Sequence, residues 1–200
     1  MVLLIGCDNS SLVIDKLCDE AAEEDTTVTC FYFDFAARNE QSPMNMLGSL
    51  LRQVVTGLEE FPEAVVQGFR NEKKVIGGRG LQVPGILKMF KQTIAATKRT
   101  FICVDALDEC TEEDRVDILV SLRQILGKSS TTRIFLTGRL HIRSEIDRHL
   151  GATVLSIKPN RDDILGYVRM RLSKDTSLGR IDSGLEDEII KSITWNTPQT

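Results

Sequence analysis

The stretch "FICVDALDEC" at residues 101–110 decides the fold. Phe101, Ile102, Cys103 and Val104 form an unbroken apolar run that ends at Asp105, and Asp108 and Glu109 follow almost at once. An apolar run without polar alternation is the pattern of a central parallel strand buried on both faces. Carboxylates that follow it emerge at the strand's carboxyl end, which is where open α/β sheets place their ligands.

Working outward, the same pattern returns. "TTRIFLTGR" (131–139) and "ATVLSIKP" (152–159) read as second and third buried strands. "TTVTCFYFDF" (26–35) is rich in β-branched and aromatic residues and also reads as a strand, and "MVLLIG" (1–6) as a short one. Between them lie helical segments. "SSLVIDKLCDEAAEE" (10–24) places Leu12, Val13, Leu17, Cys18 and Ala21 on one face behind a Ser10 or Ser11 cap. "SPMNMLGSLLRQVVTGL" (42–58) opens with a Ser cap and a proline at the first helical position. "PEAVVQGFRNEKK" (62–74) and "ILKMFKQTIAATK" (86–98) are further helices. "TEEDRVDILVSLRQILG" (111–127) starts with a Thr cap and an acid three residues on, and stops at Gly127. "IRSEIDRHLG" (142–151), "NRDDILGYVRMRLSK" (160–174) and "SGLEDEIIKSI" (183–193) complete the set. "VIGGRGLQVPG" (75–85) carries four glycines and a proline and reads as a loop; without a Gly-Lys-Ser/Thr ending it is not a phosphate loop. The alternation predicts βαβ units around a mainly parallel sheet, an α/β fold in three layers. Residues 1–158 form the core and 159–200 begin a helical extension.

Bulk properties narrow the function. Apolar residues make up 42% of the 200, enough for a sizeable core. A net charge of −4 and a pI near 5.3 lead to the expectation of no nucleic-acid partner, since such binders usually carry a basic face. No run approaches the ~18 apolar residues of a membrane span. The N-terminus lacks the basic flank of a secretory signal. Five cysteines without a CxxC spacing fit reduced thiols in a cytoplasmic protein better than zinc or a disulfide framework.

Three strand ends could carry chemistry. Asp105 is placed to hold Mg²⁺ through water, and Asp108 and Glu109 to polarise an attacking water; acids that merely cap the next helix fit the spacing equally well. Thr137 and Arg139 sit where polar groups could meet a γ-phosphate, Arg being suited to a planar multi-oxygen anion. Asp34 and Arg38 follow the second strand and read as a loop. His141 and His149 have no companion at metal-ligand spacing and read as surface or satisfied polar residues.

"FICVDALDEC" resembles the Walker B segment of NACHT-type NTPases, STAND-class P-loop proteins, in the form seen in fungal NACHT and nephrocystin-type proteins. "CFYFDFAARNEQSPMNMLGSLLRQVV", "TTRIFLTGR" and "SIKPNRDDILGYVRMRL" resemble that family's second-strand region, sensor strand and entry to the helical part. The likeness spans about residues 11–193. It implies a P-loop NTPase-like sheet, Mg-ATP or Mg-GTP as cofactor, Asp105 on the Mg²⁺ side, Asp108 and Glu109 near the attacking water and Arg139 as γ-phosphate sensor. It also implies a regulated switch that self-associates or joins other NACHT-type subunits, with an N-terminal effector and C-terminal repeats beyond this chain.

Two departures qualify that implication. The family's G-x-x-x-x-G-K-[ST] should lie between the first strand and first helix, where this chain reads "GCDNSS". Ser10 or Ser11 could supply the hydroxyl, but no lysine is present and Asp8 would repel phosphate. At the other edge the chain ends in "TWNTPQT" where the family continues with an aromatic helix. A fragment, a gene model with wrong ends and an evolved pseudo-NTPase each account for this. The expectation is a nucleotide domain that binds ATP weakly or not at all. Its rivals are an interaction module that keeps the fold and an active ATPase with a different phosphate site.

Overall fold

The computed structural model describes residues 2–5, 10–21, 26–58, 60–74, 82–156 and 161–174, with 184–185, 188–189 and 191–192 beyond them. Of the expected helix at 183–193, residues 184–185, 188–189 and 191–192 are described and are helical, and the rest lie outside the described residues, as do the interval 6–9 and the glycine-rich stretch at 75–81.

Among the described residues five parallel strands build the sheet: β1 (Val2–Ile5), β2 (Thr26–Tyr32), β3 (Arg99–Asp105), β4 (Thr132–Gly138) and β5 (Thr153–Ser156). Their spatial order is β2-β3-β4-β1-β5. Alternate side chains of β3 and β4 take opposite faces, as the two-residue strand period requires. Ile102, Val104, Ile134 and Leu136 enter the larger core with helices α2 (Pro43–Thr56), α3 (Glu63–Lys74), α4 (Val83–Ile94), α5 (Glu112–Leu126) and α6 (Arg143–Leu150). Cys103 and Phe135 point the other way, onto Ile14 of α1 (Ser10–Ala21). Helices thus cover both faces, and the α/β architecture is the one expected.

β3 and β4 are central, and Ile102, Cys103, Val104 and Leu136 are wholly buried. Each such apolar side chain contributes about 1.5–3 kcal/mol by leaving water. A hydrogen bond nets about 1 kcal/mol, so the apolar runs fix the strands and the polar ends follow. β5 differs from its reading as a buried strand: among the described residues it pairs only with β1, at the sheet edge, and Thr153, Leu155 and Ser156 are exposed. The opposite edge, β2, is closed by a side chain. Gln53 of α2 accepts from Cys30 N at 2.9 Å and donates to Cys30 O at 2.8 Å, as a neighbouring strand would.

The caps form as the sequence indicates. Ser42 Oγ accepts from Asn45 N, and Thr111 Oγ1 from Asp114 N. Gly151 closes α6 at φ 59°, a left-handed conformation that favours glycine. One boundary moves. Val83, Pro84 and Gly85, read as loop, are the first turn of α4, because a proline in the first turn presets the helical φ and has no N–H to lose.

Backbone packing divides the chain into two compact units, 1–157 and 158–200. In the second, α7 (Arg161–Lys174) is the one long helix among the described residues.

Candidate functional site

The order β2-β3-β4 brings the ends of "TTVTCFYFDF", "FICVD" and "IFLTGR" side by side. Tyr32 is in register with Asp105, and Phe33 N donates to Asp105 O at 3.1 Å. On the other side Val104 pairs with Leu136, which puts Thr137 beside Asp105.

Asp105 and Thr137 are joined directly. Thr137 Oγ1 donates to Asp105 Oδ1 and accepts from Ala106 N at 2.8 Å. Ala106 sits at φ 52°, ψ 44°, unfavourable for a residue with a Cβ. The chain therefore turns sharply off β3 into the short 3-10 helix Leu107–Glu109, anchored by the buried Leu107. Such strain at a strand end is common where side chains must be aimed. Asp105 Oδ2 makes no hydrogen bond among the described residues.

The two following carboxylates bind opposite neighbours. Asp108, almost fully buried, accepts from Arg139 N at 3.1 Å through Oδ1 and lies 3.4 Å from Arg139 Nε through Oδ2. Glu109 Oε2 accepts from Phe35 N at 2.9 Å. The 3-10 turn thus ties the end of β4 to the segment after β2. Arg139 is largely exposed, so its pairing with Asp108 is worth little by itself but fixes where the guanidinium starts.

The segment after β2 is ordered by its own polar groups. Asp34 Oδ1 caps the 3-10 helix Phe35–Ala37 by accepting from Ala36 N, and Asp34 N donates to Gln41 Oε1. Arg38 lies 4.7 Å from the Phe35 ring centroid, a cation–π contact.

Sequence reasoning missed two contributors. Gly138 lets Asp108 come close: a Cβ there would stand 3.3 Å from Asp108 Oδ1 and 2.6 Å from Ile142 Cδ1. The glycine between Thr137 and Arg139 was the available signal. Tyr32, in register with Asp105, is the other; burial, then Cys30 and Asp105, push its phenol up to about 12. Ser10 and Ser11 open α1, but their side chains, like "GCDN", lie outside the described residues. His141 is exposed and His149 half-buried, and among the described residues no three His, Cys, Asp or Glu converge to hold a metal. Cys18, Cys30, Cys103 and Cys110 carry free thiols. Among the described residues no helix is long and apolar enough to cross a membrane.

A Mg²⁺ ion takes hard oxygen ligands and keeps several waters. Asp105 fits that chemistry: it offers a carboxylate oxygen at the strand end, oriented by Thr137.

Residues 9–139 match the family model described as Nephrocystin 3, N-terminal. No curated protein matches the chain in sequence. Among solved structures, the Aeropyrum pernix ORC1 protein in complex with DNA is similar over 98% of this chain and 49% of its own, at 16% identity and a TM-score of 0.57. Drosophila ORC bound to AT-rich DNA and Cdc6 is similar over 88% of this chain and 58% of its own, at 12% identity and a TM-score of 0.50. This chain spans about half the length of those chains. The fold is that of P-loop NTPases. The expectation of no nucleic-acid partner is overturned as a deduction from charge: both similar chains are described bound to DNA. Net charge sums the whole surface, whereas a nucleic acid meets only a local patch of it. The match covers well over half of the sequence, and the chain belongs to the nephrocystin 3 N-terminal family.

Proposed function

Proceeding from that membership, we propose that this chain is the nucleotide-sensing domain of a NACHT-type, STAND-class switch in the cytoplasm. In this reading it retains the metal-and-water half of a nucleotide site and lacks the phosphate cradle. The observation that carries the reading is the Asp105–Thr137–Ala106 linkage at the ends of β3 and β4. It aims one carboxylate oxygen while holding the other, as a residue that orients metal-bound water requires.

The remaining roles follow from the bonds present. Asp105 would face Mg²⁺ through water, and the bound ion would offset phosphate charge. Glu109 spends Oε2 on Phe35 N and has Oε1 for a water. Asp108 holds Arg139, which must leave it to meet a γ-phosphate. Thr137 orients Asp105. Ser10 or Ser11 would provide the hydroxyl on the cradle side. "GCDNSS" supplies no lysine for the β/γ charge, and Asp8 adds repulsion. Nucleotide, ATP or GTP, would therefore bind poorly, and switching would depend on self-association or on other subunits of the same type.

Isothermal titration calorimetry of the chain with Mg-ATP tests this. The expected result is no dissociation constant tighter than the high micromolar range. A low-micromolar constant would overturn the reading.

A further inference from the structure

On the side of the sheet away from α1, helices α4 and α5 enclose an open groove of about 710 Å³. Its apolar lining includes Val83, Leu87 and Val120, and Lys88, Lys91 and Lys128 stand around it. Lys91 Nζ donates to Gln124 Oε1 at 2.9 Å, which holds its charge across the gap between the helices.

Two features of this groove are unexplained by the fold. Helix α5 buries Ile118, Leu119, Leu122 and Ile125 completely, yet Val120, which lines the groove, faces outward at 39% exposure. Valine is a poor helix former, so there it adds no propensity and leaves part of its apolar surface uncovered. The charge is also unlike that of the molecule. Three lysines meet one acid, Asp117, in a chain of net charge −4.

We propose that the groove between α4 and α5 receives an amphipathic helix of a partner protein that carries acidic side chains. An apolar stripe on that helix would cover Val120 and Leu87, and its flanking carboxylates would meet Lys88, Lys91 and Lys128. A hydrophobic groove is the usual acceptor for the apolar face of such a helix. A nucleic acid offers phosphates for the lysines but little for an aliphatic floor. A second copy docking groove to groove would oppose lysine to lysine. The inference does not depend on nucleotide binding, and its test contains no nucleotide.

The test is fluorescence anisotropy on the full chain with three labelled probes. One is a synthetic peptide about five helical turns long, with leucine at i, i+3, i+4 and i+7 and glutamate beside them. The second replaces each glutamate by lysine, and the third is a single-stranded DNA oligonucleotide. The glutamate peptide should bind in the micromolar range and the lysine peptide should not. The double variant Lys88→Glu/Lys128→Glu should weaken the glutamate peptide by about tenfold or more and gain affinity for the lysine peptide. Both lysines are exposed, so the variant should keep the parent's circular dichroism melt. Val120→Asp should also abolish binding. The proposal is overturned if the wild-type chain fails to bind the glutamate peptide, if the folded double variant binds it unchanged, or if the oligonucleotide displaces it.

Discussion

Gly138 shows how much of the site depends on one missing side chain. A Cβ there would press on Ile142 Cδ1 and crowd the carboxylate that holds Arg139. Ile142 is 1% exposed, so its methyl has little room to retreat. Gly138→Ala should therefore lose about 1–3 kcal/mol to overpacking. Replacing a strand glycine returns about 0.5–1 kcal/mol of chain entropy, since φ there is not positive. The net expectation is a loss of about 1 kcal/mol, read as a lower urea midpoint at unchanged slope. A midpoint equal to or above that of the parent would show that Asp108 and Ile142 yield freely.

At the scale of elements, α5 and α6 are joined by a nearly buried ion pair. Arg115 Nε lies 2.5 Å from Glu145 Oε2, with Arg115 Nη2 3.3 Å from Oε1 and Nη1 reaching Cys110 O. Hydrogen bonding to Arg115 lowers the Glu145 carboxyl; burial opposes this and the Arg115 charge adds to it. Removing Glu145 would leave a guanidinium without its partner, so Glu145→Ala should cost about 2 kcal/mol at pH 7. That is below the usual range for a fully buried pair, because Glu145 keeps a fifth of its exposure. A carboxyl lowered in the folded state stabilises fully above its unfolded pKa and loses that contribution as pH falls through the folded value. The gap between parent and variant should thus hold down to about pH 5 and narrow as pH falls further in urea unfolding. A gap independent of pH would mean that lost packing, not charge, sets the cost.

The same pair marks what the sequence could disclose. Elements set by local pattern were legible: the apolar runs of β3 and β4, the Ser42 and Thr111 caps, and the Gly151 stop. Partners set by topology were not. Glu145 is 30 residues from Arg115, Arg139 is 31 from Asp108, and Phe35 is 74 from Glu109. Spacing showed that acids leave β3, but the amides that receive them belong to other strand ends. β5 misled for the same reason: "ATVLSIKP" has the composition of a buried strand, and only the sheet order makes it an edge.

For the whole molecule, the sheet order sets what a restored phosphate cradle must do. The chain leaves β1 at Ile5, in register with Gly138, and β4 separates β1 from β3. A cradle starting there would begin one strand from Arg139 and two from Asp105, a span of about 10 Å at ordinary strand spacing. That distance is too long for one side chain and suits a triphosphate with its metal and waters. Replacing the segment before Ser11 with G-x-x-x-x-G-K-T should therefore create Mg-ATP binding that calorimetry detects in the micromolar range. Adding Asp105→Ala to the graft should weaken that binding with Mg²⁺ present and change it little with EDTA, because Asp105 acts through the cation. Arg139→Ala should weaken ATP more than ADP, because its target is the terminal phosphate. A graft that folds, as judged by its melt, yet binds no nucleotide would identify Asp105, Asp108 and Glu109 as braces of three strand ends.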